Sequence, residues 1–396
     1  MTAPRPAGSA QALLLLFGSC LPVLGAVLIA PVLPRMQAHF AETPGATVLV
    51  PVALTLPALV IAFLAPLAGL LADRVGRRPL LLASMLLYSL CGVLPLWLDS
   101  LGAIVASRAG IGLAEAGIMT CCTTLMGDYF DGPRRERLFA LQMVATSLSA
   151  ALFMGLGGAL GESGWRTPFA LYAVGLLCLP LMAALLWEPR GHRDECVQPA
   201  AGRFPWAALA PLYLLTLLAG VSLFIVPVQA GYLLQLLHVD APQQVGMTMG
   251  ANQLGVLAGA LAFRLLAALP ARRLLALGFA TAGLGGALMA LAGSHAPVVL
   301  AVLVNGLGVG LLLPTLITQV MLQVGFDQRG RATGGFTASI FAGEFLSPLL
   351  VLALTGGDNP RLPQALLLVA SAQLVLAPLC LVLLRRGRPV PVVEAL

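Results

Sequence analysis

The chain has 396 residues, of which 59% are hydrophobic and only 10% charged, and its mean hydropathy is +0.96. That is far above the roughly 45–50% apolar content of soluble domains, and it leaves no length for a sizeable soluble domain. The formal net charge is +6, and all 22 basic residues are arginine; without lysine, a Walker A phosphate loop and a Schiff-base lysine are excluded from this sequence.

Apolar runs of about 20 residues, enough to cross a bilayer, recur along the whole chain. The first lies near 12–33, after a short stretch from Met1 to Gln11. It is too long for a signal-peptide core and lacks a clear cleavage site, so it reads as an uncleaved first helix. Further runs fall near 47–72, 79–98, 101–126, 137–160 and 168–187. A polar stretch from Glu188 to Arg203 interrupts the pattern, and six more runs follow near 206–236, 244–269, 273–293, 296–322, 332–355 and 364–384. The expected architecture is an all-α integral membrane protein with twelve transmembrane helices in two pseudo-symmetric six-helix bundles. They cover residues 1–187 and 206–396, with a cytoplasmic central loop over 188–205.

Arginine placement orients these spans. With the N-terminus in the cytoplasm, Arg35, Arg166 and Arg361 fall outside, Arg108 and Arg264 fall within spans, and the other seventeen lie on inner loops and tails. This is the asymmetry of the positive-inside rule, and it puts both termini in the cytoplasm. Spread over seven inner segments, the arginines form no stripe that nucleic acid would need. The two halves also echo each other at an offset near 196 residues: Gly110-x-Gly112 maps onto Gly306-x-Gly308, Phe130-Asp131 onto Phe326-Asp327, and Arg135 onto Arg331. Many carriers are built from such repeats, with the substrate site between them.

The densest charge cluster is Gly69-Leu-Leu-Ala-Asp73-Arg74-Val-Gly76-Arg77-Arg78, between the second and third runs. Arg or Asp at the bilayer centre costs about 2.5–3.5 kcal/mol, so the cluster belongs at a lipid–water boundary. It resembles, at every fixed position, the signature G-x-L-a-D-r-x-G-r-r/k between the second and third helices of major facilitator superfamily transporters. The resemblance implies a conformational latch built on Gly69, Asp73, Gly76 and Arg77. In it Asp73 meets the positive N-terminal end of the eleventh helix, and Arg77 pairs with Asp128 at the end of the fourth. Such a latch would hold the outward-open state and release on switching.

Of the 16 carboxylates, only Glu115 and Glu344 fall near the middle of a span, on the fourth and eleventh helices. Ionisable groups at that depth face a bundle interior or a cavity and mark ion or substrate pathways. A carboxyl there can load and release a proton as the cavity opens to either side, or it can serve as hydrogen-bonding glue between helices. Arg108 lies two turns before Glu115, on the same helix face and about 10 Å away. The segment Ser107-Arg108-Ala-Gly110-Ile-Gly112-Leu-Ala-Glu115-Ala-Gly117 resembles the fourth-helix signature of the superfamily. That implies a link to proton coupling for Arg108, which would tune Glu115, while Glu115 and Glu344 are the candidate proton carriers by their depth. Its Gly-x-x-Glu-Ala-Gly portion is also similar to spinster-like lysolipid carriers. The alternative for Arg108 is snorkelling to the outer interface, the behaviour expected of Arg264 near the inner end of the eighth helix.

Neutral polar side chains within the spans are candidates to line a substrate cavity, among them Gln142, Gln229, Asn252 and Asn305. Cys20, Cys91, Cys121, Cys122, Cys178 and Cys380 sit in apolar runs and Cys196 in the central loop. They show no metal-ligand spacing and read as small buried hydrophobes. His39, His192, His238 and His295 all fall in predicted loops. The pattern breaks on the fifth helix. Drug exporters of the superfamily carry G-x-x-x-G-P-x-x-G-G there, whereas this chain reads from Ser149 to Gly158 with the final glycine pair kept and Phe153-Met154 in place of Gly-Pro. The second-half copy of the latch signature, near Gly259 to Arg273, keeps Arg272 and Arg273 without an Asp.

Together the resemblances, closest to the drug:proton antiporter branch, imply a proton-coupled secondary transporter. It would export small amphiphilic compounds by alternating access, with no enzymatic activity and no cofactor beyond the proton gradient. The expected setting is a bacterial inner membrane, with a small-molecule substrate and the bilayer as partners and a monomer as the working unit. Proton-coupled uptake, lysolipid export and a non-transporting receptor on a carrier scaffold are the alternatives.

Overall fold

A computed structural model describes residues 7–189, 204–325 and 328–383. Every element in it is helical, as a chain in lipid requires, because each backbone N–H and C=O must find its partner within its own segment. The twelve spans are α1 (Ser9–Val27), α2 (Ala46–Val75), α3 (Arg77–Val93), α4 (Leu101–Tyr129), α5 (Gly132–Gly161), α6 (Val174–Leu185), α7 (Trp206–Leu236), α8 (Pro242–Leu266), α9 (Ala271–Leu291), α10 (His295–Leu322), α11 (Arg329–Thr355) and α12 (Leu362–Leu383). All twelve predicted runs are found; the second, fourth, fifth and eleventh helices extend about a turn beyond the apolar stretch.

α1 breaks after Val27 and continues as a 3-10 turn (Ala30–Val32) and a short helix (Leu33–His39). Pro31 and Pro34 cause the break, since neither can donate to the carbonyl four residues back. A 3-10 stretch over Thr167–Ala173 likewise leads into α6. His39 closes the short helix and His295 opens α10, where its Nε2 lies 2.8 Å from Thr248 Oγ1 of α8. These two histidines therefore stand at helix ends, not in the loops expected for them. His192 and Cys196 lie outside the described residues.

The packing repeats with a period of six helices. α2 packs on α4 as α8 packs on α10; α1 on α5 as α7 on α11; α3 on α6 as α9 on α12. Two seams join the halves, α2 with α11 and α5 with α8, and these are also equivalent under the same shift. Because the spans alternate in direction, Arg74, Arg77, Arg78, Arg134, Arg135, Arg272, Arg273, Arg329 and Arg331 collect at one end of the bundle. Among the described residues, only Arg35, Arg166 and Arg361 lie at the other. We call these the arginine-rich and arginine-poor ends.

Candidate functional site

At the arginine-rich end, the chain turns from α2 into α3 at Gly76, whose φ of 102° lies in the region that favours glycine. Here Arg77 forms an ion pair with Asp128 at the end of α4 and a looser one with Asp73, at 3.7 Å. The main-chain N–H groups of Arg77 and Arg78 donate to Glu188 Oε1 and Oε2, both at 2.8 Å. Glu188 therefore caps α3, where the orphan N–H groups and the positive helix end favour an anion. The sequence reading places Glu188 in the central loop; its partners lie more than a hundred residues away and no local signal connects them.

The other half of the expected latch is not made. The Asp73 side chain is 69% exposed, and a Cβ at Gly69, Gly330 or Gly334 would meet none of the described residues within 4 Å. The arginine-rich end of α2 thus stands clear of the N-terminus of α11, and the expected contact between Asp73 and that helix end is absent from this conformation. The arginine-poor end is shut. A Cβ on Gly158 of α5 would run into the Pro242 carbonyl oxygen of α8, and one on Gly246 into the Met154 carbonyl oxygen. A Cβ on Gly231 of α7 would stand 3.0 Å from Pro34, and Glu162 accepts the N–H of Gln243 at 3.1 Å. Of the glycine pair that survives from the fifth-helix signature, Gly158 works in this closure against α8, while Gly157 packs within its own half against Leu28, just past α1. Phe153 and Met154, the residues replacing Gly-Pro, are buried beside it.

Arg108 is fully buried, which rules out snorkelling. Its Nε donates to the Ala53 carbonyl oxygen at 3.0 Å, Nη1 to the Tyr172 hydroxyl at 2.7 Å and Nη2 to the Gly25 carbonyl oxygen at 2.6 Å. Each acceptor is available for a local reason. Ala53 stands four residues before Pro57, which has no N–H to give it. Gly25 lies in the last turn of α1, where carbonyls lack helical donors. Tyr172 in turn donates to Gly25 at 3.2 Å, and the Tyr88 hydroxyl donates to Leu21 at 2.6 Å. The guanidinium ties α1, α2, α4 and the α6 segment together through charge-assisted bonds of about 1.5–3 kcal/mol each. It makes no ion pair with Glu115.

Glu115 is buried, with no hydrogen-bond partner for Oε1. Its carboxyl lies against the bare Cα of Gly25, where any larger residue would collide with it. The charges that act on it are those of Arg108 and Glu344. Glu344 is buried on α11, beside a point where Gly343 and Gly220 bring α11 and α7 into backbone contact. Ala116 and Met119 of α4, just after Glu115 in the chain, cluster with Ile61 of α2 and with Phe341 of α11, three residues before Glu344. The Glu115 carboxyl thus faces α1 within the first half, while Glu344 lies on α11 beside its contact with α7 in the second. Neither acid has an ion-pair partner among the described residues.

The four polar candidates are placed apart. Gln142 donates to Ser19 at 2.9 Å and to Thr123 at 3.2 Å, bridging α5 to α1 and α4 while half-buried. Gln229 lines a cavity at the arginine-poor end. Asn252 donates to the Val302 carbonyl oxygen at 2.7 Å and Asn305 to that of Ala282 at 2.9 Å, both buried in the α8–α9–α10 seam. Asn252 and Asn305 are helix glue rather than cavity lining, because their donors are spent on backbone carbonyls.

The sequence profile of the Major Facilitator Superfamily matches the chain twice, over residues 15–239 and 212–395. The chain belongs to this superfamily. It is 28% identical to the class C tetracycline resistance protein of Escherichia coli over 96% of this chain and 98% of that protein. It is 25% identical to the quinolone resistance protein NorA of Staphylococcus aureus over 46% of each. A gallate transporter of Pseudomonas putida is 32% identical over 37% of this chain and 32% of its own length. In fold the chain is similar to a bacterial homologue of the human lysosomal transporter Spinster. The inward-facing, occupied form of that protein superposes with a TM-score of 0.75 over 96% of both chains at 16% identity. This superfamily member is a multi-pass membrane transporter of twelve spans, not an enzyme.

Proposed function

We propose that this transporter exports drug-sized amphiphilic compounds in exchange for protons by alternating access. The observation that carries the reading is the pair of buried carboxyls, Glu115 and Glu344, one in each half of the bundle. Without ion-pair partners, each has a proton as its available counter-charge, and relative motion of the halves changes what each faces. The names of the full-length tetracycline relative and of the quinolone relative support export of such compounds. On this reading the arginine-rich end and both termini face the cytoplasm of a bacterial inner membrane, and the conformation described above is inward-open. Asp73, Arg77, Asp128, Gly69 and Gly76 form the latch, half of which engages only when α2 and α11 close.

The test uses everted vesicles with an imposed pH gradient, interior acid, and tetracycline, a quinolone and ethidium as probes. Proton antiport gives accumulation that a protonophore abolishes. Glu344→Gln folds but does not accumulate probe. Accumulation by Glu344→Gln against a gradient refutes an obligatory role for that carboxyl, and uptake into whole cells instead of vesicles refutes export.

A further inference from the structure

The arginine-poor end holds, besides its glycine seam, a cavity between the halves lined by Thr47 and Pro51 of α2, Gln229 and Tyr232 of α7, and Pro348 and Thr355 of α11. It encloses about 40 Å³, where a water molecule needs about 10–15 Å³ and polar partners. The buried face of α11 explains where the cavity leads. Glu344, Ser347, Pro348, Val351 and Thr355 are buried along one stripe of that helix. The last three line the cavity, while Ser347 and Glu344 continue the stripe toward the middle of the membrane. From Glu344 to Thr355 the stripe rises about 16 Å at 1.5 Å per residue.

Polar atoms along this stripe lack protein partners. Ser347 Oγ and the Tyr232 hydroxyl are buried and find no hydrogen bond among the described residues. The main-chain carbonyl of Glu344 loses its helical donor to Pro348, which has no N–H. Tyr232 stands one turn from the end of α7, and helical side chains lean back toward the N-terminus, here toward Glu344. Buried polar atoms without protein partners are ordinarily satisfied by ordered water. These two hydroxyls, with the Glu344 carbonyl that Pro348 leaves without its helical donor, lie between a buried acid and the cavity at the arginine-poor end and mark a path.

We infer that Ser347 and Tyr232 hold a file of water that connects Glu344 to the arginine-poor side, separate from the opening used by the cargo. The role given to protons rests on the antiport reading above. Of the other charged groups, Glu115 of α4 interacts with Glu344, and Arg108 acts on Glu115; Tyr232 and Ser347 position water and carry no charge in the resting file.

Two measurements on the full chain in proteoliposomes test it. Radiolytic hydroxyl-radical labelling, read by mass spectrometry, reports side chains beside bound water without any substrate. Tyr232 and Pro348 label well above the packed core residue Phe279, and labelling of both drops several-fold in Ser347→Ala. Labelling no greater than that of Phe279 overturns the water file, whatever the coupling mechanism. The second measurement uses tetracycline and ethidium. Tyr232→Phe, which keeps the ring, slows pH-gradient-driven accumulation about ten-fold, as expected for a lost proton-transfer step, while counterflow at equal pH stays within about two-fold. Equal losses in both modes, or none, overturn the relay. Failure of the unmodified protein to move either probe with the gradient overturns the proton role and the antiport reading together, leaving the labelling result standing on its own.

Discussion

Arg108 and Pro57 are far apart in sequence but share one carbonyl, and this predicts a measurable coupling between them. Arg108→Lys keeps the charge but replaces a planar fork with a point donor, which cannot reach Ala53, Tyr172 and Gly25 together. The Nε bond to Ala53 at 3.0 Å is the one an ammonium on the same stem cannot reproduce while also serving Gly25. Pro57 gives the Ala53 carbonyl no alternative donor, so it is left buried and unpaired at a cost of about 1–3 kcal/mol. Pro57→Ala supplies the missing N–H. Arg108→Lys should therefore cost about 1–3 kcal/mol less in the Pro57→Ala background than in the native one, a coupling readable by a double-mutant cycle. The assay is SDS-titrated unfolding of the four proteins from mixed micelles. Effects that add to within about 0.3–0.5 kcal/mol would refute the shared-carbonyl argument.

Other perturbations follow from the two ends of the bundle. Glu188→Ala removes both acceptors of the α3 N-terminus and should lower stability by about 0.5–2 kcal/mol in the same titration. Asp128→Asn leaves Arg77 only the looser Asp73 contact; because this pair is partly exposed, the stability loss should stay below about 1 kcal/mol while transport slows. Asp73→Asn should slow switching without altering the number of protons moved per probe, measured with a pH dye trapped in proteoliposomes. Gly158→Val places methyl groups where the Pro242 carbonyl lies and should force the arginine-poor seam open. A cysteine introduced at Gln235, on that side, should then react faster with an impermeant thiol reagent in right-side-out vesicles.

Much of the fold is legible from composition, because in lipid a run of apolar residues has few options besides a helix. The charge cluster from Gly69 to Arg78 and the depth of Arg108, Glu115 and Glu344 are legible for the same reason: polar groups are so scarce here that each must be explained. The pairing of those groups is less so. Arg108 and Glu115 share a helix face, yet the guanidinium turns to three carbonyl and hydroxyl oxygens that become free through Pro57, the end of α1 and the position of Tyr172. Asn252 and Asn305 look like cavity residues in a linear reading, but interhelical hydrogen bonds claim such side chains whenever a neighbouring carbonyl is in reach. Glu188 illustrates the opposite case, since a loop carboxylate becomes a helix cap only through tertiary packing.

The seam between α5 and α8 is faced by backbone, with Gly158 and Gly246 each against a carbonyl of the other helix. Ordering a long side chain costs up to about 1.5–2 kcal/mol in rotamer freedom, and this seam has almost none to order. Its grip comes from close van der Waals contact, which decays over a fraction of an ångström once parted. A barrier of this kind is brittle rather than sticky: it resists until the halves begin to separate and then offers little further resistance. Its reclosure needs no search through side-chain conformations.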